Sequence, residues 1–367
     1  MNSRNINCLT LPKWVEDLLV GFGGLTKLVT VDMCEIGRPA PTDCLVVYEQ
    51  SYLEHREALI DCLKDGKLKT LVIFNTHPFF FNESTLTEID RLSKTFDIHI
   101  LCDGQYSKVY DSVRVHNFGL CEHTVSHHFN LLLSLKLQKR KKAHEKTFLL
   151  QVVAKDEFRK TVTGGIAGSK LSNDVIFTNR RGKVGSAELM AEHNNLIDSI
   201  EKKYKDCHDI IAAINGLGVA PNFKMYERSF CEIVVETKNT GAYHLTEKTF
   251  RPICLRVPII FLGSKIMYDE LCAYGYKFYD HNFYHRWHDN DLQLQDRVRM
   301  LVEFMQHIKE DPAARKKMEV VADHNYNLFW NQRKLNYYKN WYNIMEKILK
   351  DKDISNRVDD VYSWCNF

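Results

Sequence analysis

Several features are missing from this sequence, and each absence narrows the reading. No apolar run reaches the roughly 20 residues that a membrane-spanning helix needs. The opening stretch MNSRNINCLTLPKW has no apolar core of a signal peptide. Eleven cysteines are scattered along the chain with no C-x-x-C pair among them, which argues against a zinc site and for a reducing compartment. Several sit inside apolar runs, where a free thiol behaves as a small hydrophobe. No G-x-G-x-x-G follows a strand-like run, so a nicotinamide-dependent dehydrogenase is disfavoured. There is no short-period repeat and no low-complexity tract. Excess charge is small too: net +3 and a pI near 8.2, less basic than a dedicated DNA-binding module but compatible with a polyanionic partner. These absences predict a cytoplasmic protein with no membrane span and no metal.

What is present is an ordinary globular composition, 44% apolar and 26% charged over 367 residues, too long for one core and suited to two domains. The first half alternates strand-like and helix-like runs. Lys27 to Met33, Cys44 to Gln50, Leu71 to Phe74, Ile98 to Leu101 and Val113 to Phe118 read as strands. Tyr52 to Leu63, Ser84 to Lys94 (with Ser84 as cap) and His123 to Leu137 read as helices. The charged stretch KRKKAHEK, Lys139 to Lys146, reads as a linker. Beyond it, Phe148 to Val153 and Val175 to Phe177 read as strands, and Lys155 to Leu171 as a helix weakened by Gly164, Gly165 and Gly168. An amphipathic run covers Ser186 to Tyr204. Helices are expected over Gln293 to His307 and Pro312 to Lys350, the last broken near Asn325 to Asn331. This alternation predicts an α/β chain with parallel, doubly wound sheets, whose ligands bind at the carboxyl ends of the strands.

The most informative stretch is Phe230 to Gly263, FCEIVVETKNTGAYHLTEKTFRPICLRVPIIFLG. An apolar run with Ile233, Val234 and Val235 suits a buried parallel strand, and it stops at Glu236. A polar loop follows; Thr246 can cap a short helix that opens with Glu247, Lys248 and Thr249. Ile259 to Leu262 then forms a second strand. Charged groups are thus gathered where a loop meets a helix N-terminus, a place that favours phosphate. A lysine adds a point charge for a diphosphate, and a carboxylate accepts from both hydroxyls of a ribose. The bland alternative is an exposed Glu-Lys pair on a helix's first turn.

Tyr243-His244-Leu245-Thr246-Glu247-Lys248 resembles the Tyr-x-Thr-Glu-Lys signature of α1,3-fucosyltransferases. With Pro258 to Gly263 and Tyr274 to Phe278, the pattern resembles glycosyltransferases of the two-Rossmann (GT-B) type, many of them encoded by large viruses and bacteriophages. The resemblance spans Phe148 to Leu349 and is specific over Glu236 to Gly263. It implies two Rossmann-like domains facing a cleft, with a C-terminal helix crossing back to the first. The corresponding boundaries are 1–140 for an acceptor domain, 141–147 for the linker, 148–325 for a nucleotide-sugar domain and 326–367 for the returning helix. It also implies that Glu247 holds the ribose and Lys248 the diphosphate, in the host cytoplasm if the chain is phage-encoded.

Transfer of a sugar from a nucleotide donor requires stabilisation of the leaving diphosphate, positioning of the anomeric carbon and, for inversion, a base for the acceptor hydroxyl. Further donor-side candidates are Lys155 and Arg159 after the first strand of the second half, Arg180 after the next, and Glu236. The base candidates are His77, Asp103 and Glu49, each at the end of a strand of the first half. Phe79-Phe80-Phe81 beside His77 is read as packing, with an acceptor-lining role as the sharper alternative. His281 and His285 give the histidine-rich stretch near Trp287 one helical pair, insufficient for a metal site. The expectation is a glycosyltransferase using a nucleoside-diphosphate sugar as co-substrate and no bound cofactor. Its first acceptor is 5-hydroxymethylcytosine, or a sugar on it, in double-stranded phage DNA. Surface glycan or lipopolysaccharide assembly is the alternative, and a non-catalytic nucleotide-sugar or nucleic-acid binding protein is the other class.

Overall fold

A computed structural model describes residues 6–9, 28–30, 42–75, 81–102, 105–106, 111–117, 144–151, 156–178, 223–236, 242–243, 245–289 and 291–333, with isolated positions between 195 and 202. The chain divides into two compact units. The first comprises Met1–Leu120, Asn239–His244 and Leu335–Phe367, and the second Cys121–Lys238 and Leu245–Lys334.

The first unit is built on a six-stranded parallel sheet. Its strands are β1 (Ile6–Leu9), β2 (Leu28–Thr30), β3 (Thr42–Tyr48), β4 (Leu68–Asn75), β5 (Asp97–Cys102) and β7 (Arg114–Asn117), in the order β2-β1-β3-β4-β5-β7. Two helices are described, α1 (Glu49–Lys64) after β3 and α2 (Glu83–Ser93) after β4. The apolar alternation of β3, β4 and β5 places Leu45, Val47, Leu71, Ile73, Ile98 and Ile100 in one core with Leu59 of α1 and Ile89 of α2. Phe81 joins that core, its ring edge-on to Tyr52, so this phenylalanine is packing. Two details differ from expectation. α2 is capped by Asn82, whose side chain accepts from the Thr85 N–H at 2.9 Å, because Glu83 is already helical. β1 was not foreseen, its four-residue run being too short to show a period.

The second unit carries a four-stranded parallel sheet of β8 (Lys146–Gln151), β9 (Val175–Thr178), β10 (Ser229–Val235) and β12 (Ile259–Leu262), ordered β12-β10-β8-β9. β8 takes in Lys146 and Thr147, the last residues of the expected linker. Every residue of β10 is buried, as a central parallel strand covered on both faces requires. Helix α3 (Glu157–Ala167) follows β8, and α4 (Phe223–Arg228) precedes β10. Helix α5 (Glu247–Cys254) leads into β12. After β12 come α6 (Lys265–Ala273), α7 (His281–Trp287), α8 (Leu294–Glu310) and α9 (Pro312–Leu328).

α3 lies so close to α8 that a Cβ at Gly165 would stand 2.2 Å from Val298 Cγ1; the glycine is a contact surface here. Tyr284 of α7 accepts from the Phe261 N–H at 3.1 Å, tying α7 to β12. Asn325 of α9 is buried and brackets Lys277, accepting from its N–H at 2.8 Å and donating to its carbonyl at 2.9 Å. α9 gives way to a π-helical turn, Phe329–Arg333, which overlaps the expected break near Asn325 to Asn331 and runs two residues past it. There Trp330 Nε1 donates to the Cys254 carbonyl. The expected helices over His123 to Leu137 and beyond Arg333 lie outside the described residues, as does most of Ser186 to Tyr204.

A two-stranded antiparallel ladder, β6 (Gln105–Tyr106) with β11 (Ala242–Tyr243), belongs to the first unit. The chain therefore leaves the second unit after β10, adds a strand to the first, and returns at Leu245 just before α5. Among the described residues no helix is long and apolar enough to cross a membrane.

Candidate functional site

The strand order of the second unit defines where a ligand has room. From β8 the chain crosses to β9 on one side, and from β10 it crosses to β12 on the other. Right-handed crossovers of opposite direction put the two connecting helices on opposite faces. The strand order thus puts a topological switch point between the carboxyl ends of β8 and β10, the position at which open α/β sheets bind ligands. Two helix starts flank it: α3 with Asp156 as N-cap, and α5 with Thr246 as N-cap. Arg159 lies in the first turn of α3, and Glu247 and Lys248 open α5.

Glu236, one residue past β10, organises the α5 corner. It is 0% exposed, so its carboxylate must be fully bonded. Oε1 accepts from the Thr246 N–H at 3.0 Å, the Thr246 hydroxyl at 2.9 Å and the Thr249 hydroxyl at 2.6 Å. Oε2 accepts from the Thr246 hydroxyl at 2.7 Å and faces Lys248 Nζ at 3.8 Å. Burial pushes this carboxyl up, but Lys248 and the Thr249 and Thr246 donors outweigh it and hold it below the usual glutamate range. Thr246 caps α5 from the same hydroxyl, accepting from the Lys248 N–H at 3.4 Å. With its oxygens so engaged, Glu236 builds the corner from inside. Thr246 and Thr249, both candidate donor contacts, are buried in the same cluster.

Glu247 and Lys248 are the members of this corner that reach solvent. Lys248 keeps 23% of its side-chain surface, and Glu247 is half-buried with no hydrogen bond or ion pair to another described residue. The corner thus offers one carboxylate and one ammonium side by side, above a buried anion that fixes their backbone.

Arg159 is buried in the first turn of α3; its N–H is capped by Asp156 at 2.8 Å, and its Nε lies 3.5 Å from Asp156 Oδ2. β8 and β10 are adjacent, so Arg159 and Lys248 belong to neighbouring strand ends. Lys155 and Arg180 lie outside the described residues.

In the first unit the same topological argument selects one base candidate. β1 connects to β2 on one side, and β3 lies on the other, so the switch point falls between β1 and β3. Glu49, the first residue of α1, stands at the carboxyl end of β3 and is buried. His77 and Asp103, which follow β4 and β5, lie outside the described residues. In α7, His281 is engaged with the Tyr268 hydroxyl at 2.7 Å. Among the described residues no three His, Cys, Asp or Glu side chains are grouped to hold a metal.

Sequence reasoning passed over a second polar set, the buried Tyr226, Glu232 and Arg251 and the half-buried Gln151. Its signal was legible. Glu232 is a carboxylate in the middle of the apolar run FCEIVV, and glutamate is almost never fully buried without a partner. Tyr226 and Arg251 carried no such mark, since the residues they would meet are distant in the chain. No protein-family model matches the chain, and no curated protein matches it at a significant level.

Proposed function

We propose that the chain is a glycosyltransferase of two-Rossmann architecture, in which the second unit binds a nucleoside-diphosphate sugar and the first supplies the acceptor side. The observation that carries this reading is the α5 corner: Glu247 and Lys248 adjacent at a helix start, at the switch point of a parallel sheet, held there by the buried Glu236. The ribose hydroxyls are matched by the Glu247 carboxylate, which has acceptor capacity free for them. The diphosphate is matched by Lys248, by the α5 N-terminus and by Arg159 on the adjoining strand end. These cations stabilise the charge that grows on the leaving group. In the transfer, the acceptor oxygen bonds to the anomeric carbon as the carbon–phosphate-oxygen bond breaks. The acceptor proton passes to a carboxylate or imidazole of the first unit, with Glu49, His77 and Asp103 as candidates. The acceptor proposed first is a hydroxymethylated pyrimidine, or a sugar on it, in phage DNA.

A thermal-shift screen of nucleoside diphosphates and their sugars tests the donor half. A ligand that binds the native state alone, at a hundredfold its Kd, adds about 2.7 kcal/mol. Glu247→Ala and Lys248→Ala are each expected to abolish the shift; Glu247→Ala should leave the unliganded stability within about 0.5 kcal/mol, whereas Lys248→Ala also lowers it, because it removes the cation facing the buried Glu236. Undiminished shifts in both variants would reject the site. Transfer to hydroxymethylated DNA, and not to bacterial glycans, is the expected outcome for the acceptor. Binding without transfer to either would leave a non-catalytic nucleotide-sugar protein.

A further inference from the structure

Gln151 closes β8, one of the two strands whose carboxyl ends frame the switch point, and its side chain is half-buried. Leu149 and Glu232 are register partners across β8 and β10, so Gln151, two residues past Leu149, projects from the same face of the sheet as Glu232. On that face a chain of hydrogen bonds runs inward from the strand end. Gln151 Nε2 donates to the Tyr226 hydroxyl at 3.1 Å, and that hydroxyl donates to Glu232 Oε2 at 2.7 Å. Tyr226 is 3% exposed and Glu232 1%, so solvent takes little part in the inner bond.

Proton counting sets the order of donors. A phenol has one proton, and Tyr226 gives it to a carboxylate that, when ionised, can only accept. The phenol oxygen is then an acceptor toward Gln151, and only the NH2 end of the amide can donate to it. Burial lifts the Glu232 carboxyl to about 7, and Arg251, Tyr226 and Gln151 pull it the other way; an amide does so with its NH2 end inward. The outer end is Oε1. It accepts from no described residue, yet it is not one of the buried unpartnered atoms, so it reaches solvent at the carboxyl end of β8. An outward carbonyl takes an O–H or an N–H and offers nothing to a phosphate oxygen.

We propose that Gln151 is a donor-contact residue: its outward carbonyl accepts a hydrogen bond from an O–H or N–H of the nucleotide sugar, and Tyr226 and Glu232 are positioning residues that hold the amide that way round. This rests on the nucleotide-sugar reading above. In that reading the diphosphate belongs to Lys248, Arg159 and the α5 N-terminus, and the ribose to Glu247. The polar hydrogen left for Gln151 is on the base or on the transferred sugar. Either way the amide selects for what the diphosphate carries and not for the diphosphate itself.

The test is calorimetric titration of the full chain with inorganic pyrophosphate, UDP, GDP, UDP-glucose and GDP-mannose, at a pH above the value of about 7 to which burial lifts Glu232. Gln151→Met keeps the length of the side chain and the Tyr226–Glu232 bond but removes the carbonyl. It is expected to weaken the best-bound nucleotide sugar about three- to tenfold, as loss of one hydrogen bond does. Pyrophosphate is expected to keep its affinity within about twofold. An equal loss for free UDP or GDP assigns the bonded hydrogen to the base, and a loss confined to the nucleotide sugar assigns it to the sugar. Tyr226→Phe is expected to weaken the same ligand, and to add nothing in a Gln151→Met background, because both act through one amide. Should Tyr226→Phe not fold, Gln151→Met decides the contact by itself.

Unchanged affinity of Gln151→Met for the nucleotide sugar, or an equal loss for pyrophosphate, would overturn the contact. Full additivity of Tyr226→Phe with Gln151→Met would overturn the positioning role. If Glu247→Ala weakens nucleotide binding while Gln151→Met does not, the role of Gln151 falls and the donor site stands. If the wild-type chain binds none of these ligands, the donor reading falls and takes this contact with it.

Discussion

Two glutamates four residues apart, Glu232 within β10 and Glu236 just past its end, have opposite fates, and the difference lies in their neighbours. Glu236 collects hydroxyl, N–H and ammonium partners, so its carboxyl is held below the usual range. Its contribution to stability is present above the ordinary value of 4.5 and is lost as pH falls through its lowered pKa. Glu232 accepts from the Tyr226 phenol in a dry site, and burial lifts it from 4.5 to about 7 against the opposing pull of Arg251, Tyr226 and Gln151. Its sign is reversed: the folded state holds the proton more tightly than the unfolded chain, so stability is lost as pH rises from 4.5 to about 7. Glu232→Gln should escape that loss. Urea unfolding of the two proteins should show wild type losing roughly 3 kcal/mol relative to Glu232→Gln between about pH 4.5 and pH 8. Parallel stability profiles would mean that Glu232 is not held protonated.

Helix α3 carries two adjacent glycines that should respond in opposite directions. A Cβ at Gly165 would meet Val298 Cγ1 at 2.2 Å, whereas nothing lies within 4 Å of one at Gly164. Gly165→Ala forces α3 away from α8 and should cost about 1–3 kcal/mol, as other overpacked sites do. Gly164→Ala meets open space and should stabilise by about 0.5–1 kcal/mol, because alanine removes freedom from the unfolded chain. Thermal unfolding of the two variants, with Gly165→Ala/Val298→Ala as the rescue, checks both. In the sequence these glycines read alike, as weak points of a helix. The neighbour that separates them is more than 130 residues away in the chain.

Each sheet reverses its direction of growth once, between β1 and β3 in the first unit and between β8 and β10 in the second. The base candidate at the first reversal is Glu49, and the donor candidates cluster at the second. Division of labour between the units predicts a division in kinetics. A general base contributes about 10²–10⁴ to turnover without contributing to nucleotide binding. Once a donor is identified, Glu49→Gln should lower kcat by at least about a hundredfold with donor Kd unchanged, while Glu247→Ala should raise Kd. His77→Ala and Asp103→Asn are the comparison. A large fall in kcat for one of these and none for Glu49→Gln would move the base to that strand end.

Much of this was legible in the chain. The apolar periods of β3, β4, β5, β8, β10 and β12 are local and strong, and so is the Thr246 cap with Glu247 and Lys248 behind it, because each depends on residues a few positions apart. The parallel α/β class follows from their alternation. Strand order does not, since it depends on which apolar edges meet. The buried role of Glu236 and the grouping of Glu232 with Tyr226, Gln151 and Arg251 were hidden for the same reason. Hydrogen bonding of a carboxylate buried within a sheet is a property of contacts across 75 residues of chain between Gln151 and Tyr226 and six between Tyr226 and Glu232. A one-dimensional pattern records which residues are charged; folding decides which of those charges face a ligand and which hold the site from below.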